Sequence, residues 1–377
     1  MLRRSPAWLA LAGTAALGAP LPAAANPLSY SNDTGGSVLL YGQVDPAYVS
    51  FDDGEETYGN LTDNSHSNTR VGMFVDQSYA NGGALRFNFE TALGAPSSSR
   101  FSQDFEPDWE WDKTRIRKVE VNYGHTWGTI WLGQGNMASE SASSSNLSGT
   151  TKASSRATPD TAGGYFLRES GGALSDVQIS DAFAKWDGTR RLRVRYDTPR
   201  FLGSAPDKGV SFRIAYGVDV LNADNDSNYT DVGIFHEDTY GDFRVKASGG
   251  YGWTETDGDT EESWSASAST LYMPVGISGT VAGGELPAGG NFYYANLGWQ
   301  REFFSVGTTA LSVDHYWGDD TASSGADARK WGLQFVQYFD ELNMEAYLAY
   351  DNYSFSDDSE TSYQDASATM AGIYWKF

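Results

Sequence analysis

The chain has 377 residues, 49 of them acidic against 26 basic, and no cysteine. So negative a surface repels phosphate backbones, which excludes nucleic acid as a partner, and the lack of Cys excludes disulfides and thiolate metal sites. Mean hydropathy is negative, yet the chain carries 12 Trp, 22 Tyr and 19 Phe; that mixture suits a barrel with an apolar outside and a wet inside, or a soluble β-protein.

Residues 1–25 read as a secretory signal peptide. Arg3 and Arg4 open it, Ala7 to Leu17 form an apolar run too short to span a bilayer, and Ala23-Ala24-Ala25 supplies the small-residue cleavage pattern. Its removal takes away two Arg and no acid, so the mature chain is more acidic still. Residues 26–377 show no linker and are treated as one domain. No later segment is apolar for long enough to be a transmembrane helix.

Alternation with a period of two dominates the rest. Val38 to Phe51 is the first predicted strand, followed by an acidic loop from Asp52 to Asp63. Thr69 to Tyr79 sets Val71, Met73 and Val75 against Arg70, Gly72 and Asp76. After Asn81-Gly82-Gly83, Leu85, Phe87 and Phe89 alternate with Arg86, Asn88 and Glu90. A second acidic loop, 94–113, precedes Val119, Val121 and Tyr123, which alternate with Lys118, Glu120 and Asn122. Ile130 and Leu132 belong to the next strand. Then periodicity stops for about fifty residues, 135–185, rich in Ser, Thr, Ala and Gly. So long an aperiodic stretch within one domain is functional or disproves the strands around it. Alternation resumes with Leu192, Val194 and Tyr196 against Arg191, Arg193 and Arg195. It is cleanest from Val210 to Val220. Further strands are predicted at 229–240, 243–253, 263–272, 277–285, 291–301, 308–317, 330–339, 344–355 and 366–377, those at 263–301 being weakest.

The count is about sixteen, an even number as bacterial outer-membrane barrels require. Connections alternate too: short turns on one side, longer and mostly acidic loops such as 257–262, 319–327 and 357–365 on the other. A β-sandwich would use the same alternation without that asymmetry. In hydrocarbon a sheet must close, because an edge strand would leave backbone groups unpaired. The expected fold is all-β: a 16-stranded antiparallel transmembrane β-barrel with 135–185 folded inward as a constriction loop. Tyr79, Tyr123, Tyr196, Trp253 and Tyr272 suit its interfacial girdles.

Several segments resemble Gram-negative trimeric porins, particularly those of alphaproteobacteria. They are Tyr41-Gly42-Gln43-Val44-Asp45, Gly128 to Gln134, Val194-Arg195-Tyr196-Asp197-Thr198-Pro199 and Gly372-Ile373-Tyr374-Trp375-Lys376-Phe377. The last is similar to the family's insertion signal, with Gly372, Trp375 and Phe377 in place and Met370 where a polar residue is usual. The resemblance implies a homotrimer in the Gram-negative outer membrane. It implies contact with lipid and lipopolysaccharide, delivery by the barrel-assembly machinery, and passive diffusion of small hydrophilic solutes and ions. It allows Ca2+ bound loosely at the acidic loops and implies no other cofactor.

Arg191, Arg193 and Arg195 form the sharpest candidate site, a basic wall that Arg70, Arg86, Lys118 and Arg213 join by parity. Asp160, Glu169, Asp176 and Asp181 are the facing acids of the long loop. The two sets would create a transverse field across the lumen, or the arginines would anchor the loop by ion pairs. Acidic outer loops favour cations. Asp224-Asn225-Asp226 opens like a calcium loop, then has Tyr229 and Phe235 where Gly and Glu are required. The four His are scattered, and no catalytic motif stands out, so a channel is expected rather than an enzyme. A substrate-specific channel and a secreted carbohydrate-binding or glycan-cleaving β-protein are the alternatives.

Overall fold

The computed structural model describes residues 28–222, 224–287 and 289–377, so the expected signal peptide, 1–25, lies outside the described residues. Strands form where bulky and polar side chains alternate. They begin with β1 (Ser29–Ser31), β2 (Gly36–Val44), β3 (Pro46–Asp52), β4 (Thr57–Asp63), β5 (Arg70–Ser78), β6 (Ala84–Ala92), β7 (Ile116–His125) and β8 (Gly128–Asn136). An excursion from 137 to 189 follows. It holds α1 (Pro159–Ala162), a hairpin of β9 (Phe166–Arg168) and β10 (Leu174–Gln178), and α2 (Ile179–Ala182). The chain then runs through β11 (Arg190–Asp197), β12 (Gly209–Val218), β13 (Asn228–Tyr240), β14 (Phe243–Thr256), β15 (Asp259–Tyr272) and β16 (Ile277–Glu285). It ends with β17 (Asn291–Phe304), β18 (Gly307–Asp319), β19 (Asp327–Phe339), β20 (Met344–Ser356) and β21 (Ala366–Lys376).

Every neighbouring pair is antiparallel, and β21 closes the sheet on β2 and β3. β2 with β3, and β4 with β5, are each one stave interrupted at Asp45 and at Asn64–Thr69, so the barrel has sixteen staves. Phe377 exchanges two backbone hydrogen bonds of 3.0 Å with Gly42, and β1 continues along β2 just beyond. The sheet thus closes on itself, as a sheet in lipid requires; among the described residues β1 and β4 each pair on one side, with β2 and β3.

The two faces differ as the alternation demands. Val194 is 55 % exposed and Ile214 52 %, whereas Arg193 between the staves' apolar residues is 2 % exposed. Leu297, Val313, Leu333 and Leu348 are exposed on the same outer face. Aromatics ring this surface near the short turns: Phe243 meets Tyr272 at 4.9 Å and Trp375 meets Phe377 at 5.2 Å, both tilted, and Trp299 meets Phe303 edge-on at 5.1 Å. Tyr251 and Trp253, 4.8 Å apart, stand toward the other rim. Short turns need residues with positive φ, and Gly276 (φ 76°) supplies one where a Cβ would strike the Gln300 carbonyl.

Two expected loops prove to be partly strand. Residues 57–63 form β4, and the presumed acidic loop 257–262 shrinks to a turn at Asp257-Gly258, with β15 starting at Asp259. The sequence loses apolar residues there because the staves rise beyond the oily band; Asp259 to Glu262 are exposed yet hydrogen-bonded into the sheet.

Candidate functional site: the basic aperture

The excursion 137–189 lies against inward-facing side chains of the wall. Its first half, 138–158, is small and polar, and so is the wall beside it. Ser263, Ser265, Ser267 and Ser269 of β15 point inward and are buried, while Trp264, Ala266 and Ala268 face out. Ser145 N donates to Ser267 Oγ (2.9 Å), Leu147 N to Ser269 Oγ (3.0 Å), and Ala142 O accepts from Ser248 and Ser267. Thr150 and Ser312 hydroxyls meet at 2.7 Å, and Tyr338 Oη donates to Gly149 O. Small residues on both sides let backbone approach wall. A Cβ on Gly298 would stand 2.7 Å from Ser148 Cβ. Gly298→Val is therefore expected to push residues 147–149 inward and lower single-channel conductance while the barrel still forms; unchanged conductance would mean that the loop is not seated there.

The second half packs as a core of its own. Tyr165 stacks on Phe51 at 4.2 Å, and Phe183 meets Tyr353 at 5.2 Å and Tyr316 at 5.5 Å. Leu167, Ile179, Phe292 and Phe355 complete this cluster. Both halves meet at Lys330, which is fully buried. Its Nζ donates to Asp314 (2.8 Å) and to Ser154 (2.9 Å) and lies 2.7 Å from Asp351. Thr161 Oγ1 donates to Asp351 at 3.3 Å.

Between loop and wall lies a cavity of about 390 Å³, bordered by Arg70, Arg117, Lys152, Arg156, Lys185 and Arg190. Asp160 is its one acidic border residue, and Ser65, His66, Ser67, Asn68 and Ser143 to Asn146 add hydroxyls, amides and an imidazole. Glu90 lies behind Arg70 (3.5 Å) and Arg117 (2.6 Å). Asp187 pairs with Arg156 and stands 3.9 Å from Lys185. Burial works against the Asp187 carboxylate, but Arg156, Lys185 and Ser143 hold its pKa below the usual range, so this clamp survives until the pH falls through that lowered value. Burial draws the Lys152 and Lys185 ammoniums below the ordinary lysine value. A second cavity of about 330 Å³ holds Arg200, Arg213 and Lys246 with Glu140 and Glu237. Ser144, Ser145 and Asn146 border both cavities, so this strip of loop divides them.

The expected basic wall and acidic loop are rearranged. Arg193 donates to Glu120, to Gly133 O (2.8 Å) and to Asn136 O (2.9 Å). Arg195 lies over Trp131 and pairs with Asp197 at 2.9 Å, also reaching Asn136 O. Arg191 covers the Tyr229 ring at 4.0 Å, 3.7 Å from Asp219. All three are turned to wall partners and the root of the excursion, not to the loop acids. Arg70 borders the first cavity and Arg213 the second, the latter over Phe235. Arg86 pairs with Asp76 near the short-turn end, and Lys118 lies opposite Glu90. Of the four loop acids, Asp160 alone reaches the first cavity, 3.7 Å from His66. Glu169 bridges to Tyr363, Asp181 caps α2 and Asp176 is exposed; the β9–β10 hairpin and α2 carry them away from it.

Arg117 escapes the parity rule because a bulge between the Glu90–Lys118 and Thr91–Ile116 pairs turns it inward. Lys152 and Arg156 had a legible signal: between 138 and 158 they are the only cations in a run of Ser, Thr and Ala. Gly372 leaves room for the Tyr347 hydroxyl, while Trp375 and Phe377 face outward. Asn225 of the calcium-like stretch is occupied within its own turn, bonding to Asp219, Tyr229 and Ser227. Among the described residues no group of three or more His, Asp or Glu side chains is arranged to hold a metal ion.

A closed antiparallel barrel with an oily exterior and charged side chains inside is the architecture of an outer-membrane channel. A family model described as Gram-negative porin matches residues 9–358, and the chain belongs to that family. Among solved structures, an anion-selective porin from Comamonas acidovorans is 16 % identical with a TM-score of 0.59, covering 91 % of this chain and 100 % of its own. OmpT of Vibrio cholerae in a trimer form is 14 % identical, TM-score 0.54, over 91 % and 100 %. OmpF of Salmonella typhi, in complex with daunomycin, is 16 % identical, TM-score 0.55, over 92 % and 99 %. At such identities the likeness is one of fold. Comparison with curated protein sequences gave no match.

Proposed function

We propose that the protein is a homotrimeric diffusion channel for small hydrophilic solutes, narrowed by residues 137–189, and that it prefers anions. It carries out no catalysis in this reading, and residues 1–25 are removed on export. The observation that carries the anion preference is the border of the first cavity, six cations against Asp160. Whole-chain charge suggested cations instead. That expectation weighs every loop equally, but salt screens charges beyond about 8–10 Å, so the groups nearest a permeating ion dominate. The porin fold of the neighbours, one of them a trimer form and one anion-selective, is consistent with this reading. Reversal potentials across a salt gradient test it. Chloride should carry most of the current; a cation-preferring channel would overturn the proposal.

A further inference from the structure

Building on that reading, we propose that the first cavity is a binding site for small oxyanions of two or more negative charges, inorganic phosphate and phosphate monoesters above all. Its cations are arranged in sets. Arg70 and Arg117 share the single carboxylate of Glu90, and Arg156 and Lys185 share that of Asp187, so each set keeps positive charge to spare. Among the described residues, Lys152 and Arg190 have no carboxylate within 4.0 Å. Lys152 is held over the Tyr374 ring at 4.6 Å with its Nζ 2.9 Å from Ser67 Oγ, and the buried Arg190 Nε has no hydrogen-bond partner.

Charge of this kind is fixed in advance rather than gathered around a passing ion. A monovalent anion answers only part of it. A doubly charged oxyanion answers more, and its several oxygens accept from guanidinium forks and from hydroxyls at once. The Ser144 hydroxyl and the Asn146 amide supply such neutral donors on the same border. The volume, about 390 Å³, falls at the small end of ligand pockets. Passage still requires release, so the site must be weak, with half-saturation at about 1 mM.

The test uses the full folded channel in planar bilayers with potassium chloride, slightly alkaline so that most phosphate is doubly charged. Added phosphate should halve the chloride current at about 1 mM, and sulfate should act similarly, whereas acetate at about tenfold higher concentration should not. Lys152→Met with Arg190→Gln should raise the half-blocking concentration about tenfold and weaken the anion preference. Arg329→Gln, on an exposed pair with Asp327, should leave the block as it is. If the double variant fails to fold, the contrast between phosphate and acetate in the unaltered protein still decides. Phosphate blocking no better than acetate would overturn the site and leave the diffusion channel standing. A cation-carried current would overturn both the site and the anion preference.

Discussion

Replacing Lys330 by Met is expected to free the long loop from the wall. The ammonium is shared by Asp314 and Asp351 where neither reaches water, and it is the point at which Ser154 and, through Asp351, Thr161 are tied down. Without it two carboxylates face each other in a buried site, and losing one partner of such a group costs about 3–5 kcal/mol. The strand-to-strand pairings on either side of β19 do not run through the loop, so the barrel should still close. What should change is the protection of amides around residues 150–162 against hydrogen exchange, together with the noise of the open channel, both rising. Neutralising the whole group, with Asp314→Asn and Asp351→Asn added, should recover part of the loss because no net buried charge remains. A Lys330→Met channel with unaltered exchange and noise would show that the latch lies elsewhere.

Arg193→Ala is expected to weaken the protein severely while barely moving its ion preference. The guanidinium is 2 % exposed and spends its donors on Glu120 and on two carbonyls at the root of the excursion. Alanine would leave Glu120 charged and alone in the wall, again a loss of about 3–5 kcal/mol, visible as a lower temperature for barrel opening. Lys152→Ala should do the reverse: little change in opening temperature, a clear loss of anion preference. If Arg193→Ala shifts the reversal potential as far as Lys152→Ala does, the arginine ladder acts on permeating ions after all, and the anchoring role is insufficient.

The barrel was legible because lipid and water impose opposite demands on alternate residues, and Leu192 to Tyr196 or Val210 to Val218 record that demand directly. Strand ends were not, since beyond the oily band the demand lapses; β4 and the start of β15 carry Asp, Glu and Thr without penalty. The dilute strand 263–272 had a reason that only the fold exposes: its serines are small because a loop lies on them. Parity set Arg191, Arg193 and Arg195 on the face opposite Leu192, Val194 and Tyr196 but gave no information on what each would meet. Glu120 and the carbonyls of Gly133 and Asn136 sit on the neighbouring staves and claim those arginines locally. Counting only acids in the long loop hid Lys152, Arg156 and Lys185, and the bulge at Arg117 lies below what a two-residue period can register.

The apolar cluster inside the lumen has a consequence for the timing of assembly. Tyr165 and Phe183 are synthesised long before their partners: Phe183 settles against Tyr316 and Tyr353, and Ala366 and Ala368 of β21 seal the same cluster. Contacts so distant along the chain form late. The segment must therefore be carried unsettled until the C-terminal strands arrive, and closure of the cylinder and docking of its contents become nearly one event.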